Sequence, residues 1–432
     1  MKQQDVLSEL LSRGVILLDG ATGTQLHQAG LKSGLNPEQW VLSHPDVLKR
    51  LQIQYMEAGS DIIYTFTFGA NRIKLGQAAS SAEHSDSVVS INQELALLSM
   101  RARDQFCEHH PDRIVLVAGD LAPTGLFLKP AGDLDFDELV EIYQEQVRGQ
   151  LAAGVDLFVI ETMMDLAQMR AAILAVQSLS SKPILASMTV AENGKTIAGN
   201  TPLACLLTCA ALGVSAFGLN CSFGPDKLAF ILEPLLEISP IPLLLKPNAG
   251  LPQWIDGQTI FPMDEEAFAK AMKKPLEAGI QLVGGCCGTG PSHIAVLKQL
   301  ALSFGSENLK PRAADLSRWI SSSRSSLLWH PQEKLPYVDA SRPDLLIDQV
   351  LDVMDEGPAI ILDFTSYPEN QTEILPNLLQ ELQLTATLPF IFRCHQPRLI
   401  EVLLRYYHGR AGLQTNLAPI SQSALYGALL DK

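Results

Sequence analysis

The chain has 432 residues, 47% of them hydrophobic, which is enough for a core of ordinary globular size and, at roughly 150 residues per domain, for two or three domains. Its 47 acidic and 32 basic residues give a formal charge of −15. A surface that negative repels phosphate backbones and anionic lipids, and no basic stripe interleaved with aromatics occurs, so nucleic acid is excluded as a partner.

The opening segment MKQQDVLSELLSRG reads as an amphipathic helix with Val6, Leu7, Leu10 and Leu11 apolar. It lacks the long apolar run and cleavage site of a secretory signal. Eight short runs of aliphatic residues follow. They are Val15 to Leu18, Asp61 to Thr65, Ile114 to Ala118, Leu157 to Ile160, Ile184 to Met188, Ala216 to Asn220, Pro242 to Leu245 and Ile280 to Val283. Continuous apolar runs of this length fit strands buried on both faces, as in a parallel sheet.

Helical patterns lie between them, among them Ser87 to Gln105, Phe136 to Ala153, Leu166 to Leu179, Asp226 to Leu236 and Glu265 to Ala278. Gly59, Gly154, Gly213 and Gly279 act as helix stops before the next strand. Pro202 to Leu219 is apolar enough to raise the question of a membrane span. Gly213 breaks it, and a helix followed by a strand explains it, so no membrane is expected and a cytoplasmic location follows. Eight strand–helix alternations predict an α/β fold of the (β/α)8 TIM-barrel type over 1–304. A doubly wound open sheet is the alternative, but no G-x-G-x-x-G loop follows the first strand.

The texture changes after residue 304. Serines and prolines make 305–340 an irregular linker over the barrel, anchored by Trp319 and Trp329. From 341 to 432 a small partial α/β unit is expected. It has helices at Leu345 to Asp355, Glu373 to Leu382 and Arg398 to Tyr407, and strands at Ala359 to Asp363 and Pro389 to Arg393. That is about one third of a barrel.

In such a barrel the active site gathers at the C-terminal ends of the strands. These ends read Asp19 to Thr24, Thr65 to Asn71, Gly119-Asp120, Glu161-Thr162, Asn220-Cys221, Lys246 to Gly250 and Gly284 to Gly288. Of seven cysteines, Cys221, Cys286 and Cys287 therefore converge, while Cys107, Cys205, Cys209 and Cys394 read as packing residues. An odd count and an adjacent pair argue against a disulfide framework. Three thiolates suit a zinc ion and leave a fourth position for a substrate thiol, whose nucleophilic thiolate form zinc favours. Asp19 and Glu161 are candidates for an amino-acid ammonium group, or else helix caps or partners of a buried arginine. Gly20 and Thr22 belong to a glycine-rich turn whose backbone N–H groups suit a carboxylate. Thr65 joins them as a substrate-binding candidate, and Asn220 either orients a ligand or caps its turn. His27, His44 and His293 read as helix-surface or capping residues.

Several segments carry a resemblance. They are LLDGATGTQL at 17–26, AGSDIIYTFTFGANRIKL at 58–75, IET at 160–162, GLNCSFGP at 218–225, KPNAGLP at 246–252 and GGCCGTGPSHI at 284–294. From about Val15 to Leu302 the chain resembles the homocysteine S-methyltransferase family, and most of all the homocysteine-binding module of cobalamin-dependent methionine synthase. The resemblance implies a (β/α)8 barrel, with zinc on Cys221, Cys286 and Cys287 and homocysteine sulfur as fourth ligand. It also implies amino-acid binding by Asp19 and Glu161. Betaine-dependent members typically continue the TFTF segment with a tyrosine, where this chain has Gly69.

Pro343 to Asn416 resembles part of the pterin-binding barrel that follows this module in methionine synthase. That pattern has an Asp-Thr pair where this chain has Arg393-Cys394, which argues against folate binding. No D-x-H-x-x-G cobalamin motif occurs, so a corrinoid has to come from a partner. The expectation is a zinc-dependent transfer of a methyl group to homocysteine, giving methionine, with methylcobalamin on a separate corrinoid protein as donor. The C-terminal unit is expected to make contact with that protein or with a second subunit in a homodimer. The alternatives are S-methylmethionine, S-adenosylmethionine or a quaternary amine as donor, a zinc-bearing scaffold without catalysis, and a dithiol redox protein using Cys286 and Cys287.

Overall fold

The computed structural model describes residues 3–76, 82–255, 258–304, 315–330, 333–417 and 426–431. Eight parallel strands form the first sheet: β1 (Ile16–Leu17), β2 (Ile62–Tyr64), β3 (Leu116–Leu121), β4 (Leu157–Met163), β5 (Ile184–Met188), β6 (Ala216–Asn220), β7 (Leu243–Lys246) and, after a hairpin of β8 (Gln253–Ile255) and β9 (Gln258–Ile260), β10 (Leu282–Val283). Their order is β1-β10-β7-β6-β5-β4-β3-β2. A parallel bridge between Leu18 and Ile62, and the Asp61 N–H donating to the Leu17 carbonyl at 2.7 Å, bring the two ends together. The fold is the expected (β/α)8 barrel.

Side-chain alternation sorts each strand into two faces. Leu17, Ile63, Val117, Phe158, Phe217 and Leu245 pack outward against the helices. Ile16, Leu18, Ile62, Leu116, Ala118, Val159, Leu244 and Leu282 form the inner core. The N-terminal helix Gln3–Arg13 closes its lower end by adding Leu7 and Leu10 to that cluster. The same alternation carries Tyr64, Asp120, Glu161, Asn220 and Lys246 inward at the upper end, one layer above the apolar residues.

Three expected helices, Phe136–Ala153, Leu166–Leu179 and Glu265–Ala278, keep their bounds. The pattern Asp226 to Leu236 divides into an α-helix, Pro225–Leu232, and a 3-10 turn, Glu233–Glu237. The third strand runs three residues further than expected, to Leu121, because Gly119, Asp120 and Leu121 pair in register with Phe158, Val159 and Ile160.

The C-terminal part differs more. The expected linker, 305–340, holds an antiparallel hairpin of β11 (Trp319–Ser321) and β12 (Ser326–Leu328) and then β13 (Tyr337–Asp339), while 305–314 and 331–332 lie outside the described residues. β13 belongs to the second unit, so the expected boundary at 341 falls too late. With β14 (Ile360–Asp363), β15 (Phe390–Arg393), β16 (Gly412–Gln414) and β17 (Leu429–Asp431) it makes a five-stranded parallel sheet in sequential order. That is more than the expected third of a barrel. Helices cover one face over Leu362, Phe390 and Phe392; the hairpin covers the other, with Ile320 and Trp329 against Ile391.

Arg170 locks the second unit to the barrel. Its guanidinium is fully buried and donates from Nη2 to the carbonyls of Leu404 at 2.9 Å and Arg405 at 3.4 Å, at the end of helix Pro397–Tyr406. Among the described residues no helix is long and apolar enough to cross a membrane.

Candidate active site

A cavity of about 290 Å³ opens at the C-terminal end of the barrel. Of the expected site residues, Asp19, Gly20, Thr22, Thr65, Glu161, Cys221, Cys286 and Cys287 line it. Asn220 lies behind the wall.

The cysteines come from the ends of β6 and β10. Their three sulfurs lie within 4.8 Å of one another, with Cys221 and Cys287 Sγ 3.9 Å apart. Backbone bonds hold the loop that carries the pair. Cys286 N–H donates to the Pro247 carbonyl at 2.7 Å, Ala249 N–H to the Cys287 carbonyl at 2.9 Å, and Gly285 N–H to the Asp19 carbonyl at 3.2 Å. Gly288 has φ +83°, and a Cβ there would strike the Phe261 ring, so the sharp turn after the pair requires glycine. Three residues at the site that are not glycine hold left-handed backbone: Thr162 (φ 59°), Cys221 (φ 61°) and Ser222 (φ 60°). Each costs about 1 kcal/mol, strain of the kind that gathers at functional sites.

Three soft donors at this separation match the donor set of a zinc centre with an open position. Hydrogen bonds from Cys286 and Cys287 hold the Cys221 thiol far below its ordinary range. The same bonds, with burial and the Cys221 charge, raise the other two thiols.

Beneath the cysteines lies a charged floor made of Asp19 and Glu161, both expected at the site, and of Lys246 and Asp120, which the sequence reading left without a role. Lys246 Nζ sits 3.1 Å from Asp19 Oδ1 and 4.4 Å from the centre of the Tyr64 ring. The Tyr64 N–H donates to Asp19 Oδ2 at 2.8 Å. Burial works against the Lys246 charge, but Asp19, Glu161 and Tyr64 outweigh it and hold the ammonium well above its ordinary value. Asp120 is buried beside them, its backbone N–H donating to Thr65 Oγ1 at 2.9 Å. One lysine thus faces three carboxylates, Asp19, Asp120 and Glu161.

The imbalance appears in their proton affinities. Burial raises all three carboxyls above their ordinary values, and Lys246 offsets only part of it. Glu161 is pushed up to about 7, and Asp120 well above the carboxylate range. With one lysine among three acidic groups, the floor has fewer cations than carboxyls.

Asn220 is fully buried and joins the ends of β4, β5 and β6. Its Oδ1 accepts from the Thr162 N–H at 2.8 Å and the Ser187 hydroxyl at 2.9 Å, and its Nδ2 donates to Thr162 Oγ1 at 2.7 Å and Glu161 Oε2 at 3.3 Å. Its place is that of an orienting residue for Glu161. Thr65 bridges to Thr67 Oγ1 at 2.7 Å. Apolar walls of Tyr64, Phe66 and Phe68, and the exposed His27, complete the cavity. His293 caps its helix, and His44 stacks on Trp40 at 4.3 Å, as their positions in the sequence suggested.

Residues 16–301 match the family model described as homocysteine S-methyltransferase. The chain is 34% identical over 300 residues to methionine synthase of Mycobacterium tuberculosis (strain ATCC 25618 / H37Rv), a match that covers 67% of this chain and 25% of that protein. It is 33% identical over 300 residues to methionine synthase of Mycobacterium leprae (strain TN), covering 67% and 24%. The chain thus spans about a quarter of the length of the curated relatives it matches. Among solved structures, the homocysteine methyltransferase MmuM from Escherichia coli in its metallated form superposes with a TM-score of 0.58 at 22% identity, over 69% of this chain and 99% of that one. Its oxidized form gives 0.58 at 23%, over 69% and 99%. At that identity the likeness bears on the fold alone and agrees with the (β/α)8 barrel described above. With a family match that runs through every barrel strand and all three clustered cysteines, the chain belongs to the homocysteine S-methyltransferase family, a family of methyltransferase enzymes.

Proposed function

We propose that this chain transfers a methyl group to the thiol of homocysteine, giving methionine, with zinc held by Cys221, Cys286 and Cys287. One observation carries the reading: a three-thiol cluster stands over a floor in which one lysine faces three carboxyls, and both line one cavity. An α-amino acid with a thiol two methylenes from its Cα supplies both missing partners, sulfur above and ammonium below. Zinc, when bound, favours loss of the substrate thiol's proton and keeps the sulfur nucleophilic at neutral pH.

The chain's own residues set the geometry. Asp19, fixed by Lys246 and the Tyr64 N–H, and Glu161, fixed by Asn220, receive the ammonium group. The turn from Gly20 to Thr24 lines the side of the cavity toward which the carboxylate points. Phe66 and Phe68 keep water from the sulfur. Holding the nucleophile in line with an incoming methyl group lowers the entropic part of the barrier. The sulfur lone pair forms the new S–C bond as the bond from carbon to the donor breaks, and its electron pair leaves with the donor.

Methylcobalamin on a separate corrinoid protein is the donor we assign, on the strength of the resemblance to the homocysteine-binding module of cobalamin-dependent methionine synthase. Gly69 argues against betaine without deciding it: a Cβ there would meet the Glu38 carboxylate, which accepts the Gly69 N–H at 2.7 Å, so a tyrosine would have to displace Glu38. The second unit, with Leu345, Leu351 and Ile374 exposed, is the surface we assign to contact with that protein or with a second subunit.

The decisive experiment measures bound zinc and methionine formation in the wild type and in Cys286→Ser. Methylcobalamin on a corrinoid protein, S-methylmethionine, S-adenosylmethionine and betaine are each offered as donor. Loss of zinc and of methionine formation in the variant is expected. Full retention of both overturns the reading, and turnover with one of the other donors replaces the corrinoid.

A further inference from the structure

A second cavity, of about 300 Å³, lies where the loops after β3, β4 and β5 meet the C-terminal unit. Part of its lining is polar. Arg324 and His408 enter from the C-terminal side, Asp165 from the barrel, and Gln380, only 6% exposed, from helix Leu375–Thr385. Apolar side chains open to solvent share the lining, with Phe127 at 49%, Ile197 at 67% and Leu384 at 46% exposure.

The cavity lining holds one cation with free donors. Among the described residues the Arg324 guanidinium makes no hydrogen bond and no close ion pair, although its charge is felt by Asp165. The Asp165 carboxylate is occupied as the N-cap of its helix, accepting from Ala167 N–H at 3.1 Å. Lys129 is matched by Asp135 at 2.9 Å. Arg170 lies behind the wall, outside the lining, and donates to the carbonyls of Leu404 and Arg405. An acidic group in the cavity would give the Arg324 donors their acceptors.

We propose that this junction cavity is a second ligand site, distinct from the cysteine pocket, for a small amphipathic organic anion. Its acidic head meets Arg324 and the Gln380 amide. Its apolar body lies on Phe127, Ile197 and Leu384. The volume sits at the small end of ligand pockets, which suits a compact molecule with one ring or a short chain. His408 adds a reporter. Burial, with Arg170 and then Arg324, holds its imidazole down at about 3, and an anion between these groups moves it back toward its ordinary value.

The test uses the zinc-loaded full chain and three probes by calorimetry: benzoate, its neutral analogue benzamide, and inorganic phosphate. The expected result is saturable 1:1 binding of benzoate, at least tenfold weaker binding of the other two, and an upward shift of the His408 resonance titration with benzoate bound. Arg324→Gln weakens benzoate at least tenfold and leaves homocysteine binding unchanged. Ile197→Asp, at an exposed position where folding is not at stake, weakens it as well by placing a carboxylate among the apolar side chains. Equal binding of benzamide or of phosphate overturns the proposal, as does unchanged benzoate affinity in both variants or no benzoate binding at all.

Discussion

Lys246 and Asp19 meet at 3.1 Å with their side chains 4% and 2% exposed, which makes them a buried ion pair directly under the cysteine cluster. Removing one member of such a pair typically costs about 3–5 kcal/mol, because the other charge is left buried and alone. Lys246→Met should therefore lower unfolding stability by that order in urea titration. Adding Asp19→Asn should restore more than half of the loss, while homocysteine binding stays absent in both. A double variant no more stable than the single one would show that the pair is not the cause.

Glu161 gives the metal-free protein a pH dependence of known sign. Its ordinary value is 4.5 and burial lifts it to about 7 in the folded chain. Between these values the folded state holds a proton that the unfolded state has lost, so stability falls as pH rises. The contribution is complete below about 4.5 and gone above about 7. Melting temperatures from pH 5 to 8 should decline in the wild type more steeply than in Glu161→Gln. The difference corresponds to a slope of up to about 1 kcal/mol per pH unit. Parallel declines in the two proteins would remove Glu161 as the source.

Asn220 serves three strand ends at once, and its replacement separates positioning from metal binding. Asn220→Ala leaves the Thr162 N–H and the Ser187 hydroxyl without their acceptor and frees Glu161 to rotate. A buried donor stranded in this way costs about 1–3 kcal/mol. Zinc content is expected to be unchanged, with a raised KM for homocysteine. Loss of zinc in this variant would mean that Asn220 shapes the cysteine cluster instead.

Two contacts between barrel and C-terminal unit should differ in strength. The Arg405–Asp137 pair lies at the surface, with side chains 29% and 50% exposed, and a double-mutant cycle on it should give less than about 1 kcal/mol. Arg170 is fully buried and caps two carbonyls of the helix that ends at Tyr406. Arg170→Ala should cost about 2–4 kcal/mol, read as earlier melting of the C-terminal unit. Similar effects at the two places would argue that burial does not decide the matter.

The cysteine cluster was legible in the sequence because strand ends can be counted, and Cys221, Cys286 and Cys287 each fall at one. Lys246 and Asp120 also stood at strand ends, yet their roles were not legible. Position along a strand gives the layer, but the face follows only from register, as in Asn220 opposite Lys246. The third strand was expected to end three residues short, at Ala118, because its inward Asp120 breaks an apolar run. In the C-terminal unit, β13 and β16 have three residues each, too few for a period to emerge. They are strands because their neighbours pair with them. Arg170 sits in a helix pattern where a charge normally faces solvent, and only the docking of the second unit makes it a buried cap.

The helix Gln3–Arg13 seals the lower end of the barrel with Leu7 and Leu10, and this makes the reaction chamber a cul-de-sac. Among the described residues the cavity opens at the other end, beside the cysteines. On the proposed reading, an amino acid bound there has to enter before a methyl carrier covers that mouth, and methionine leaves after the carrier departs. That reading makes binding an ordered queue, first in and last out.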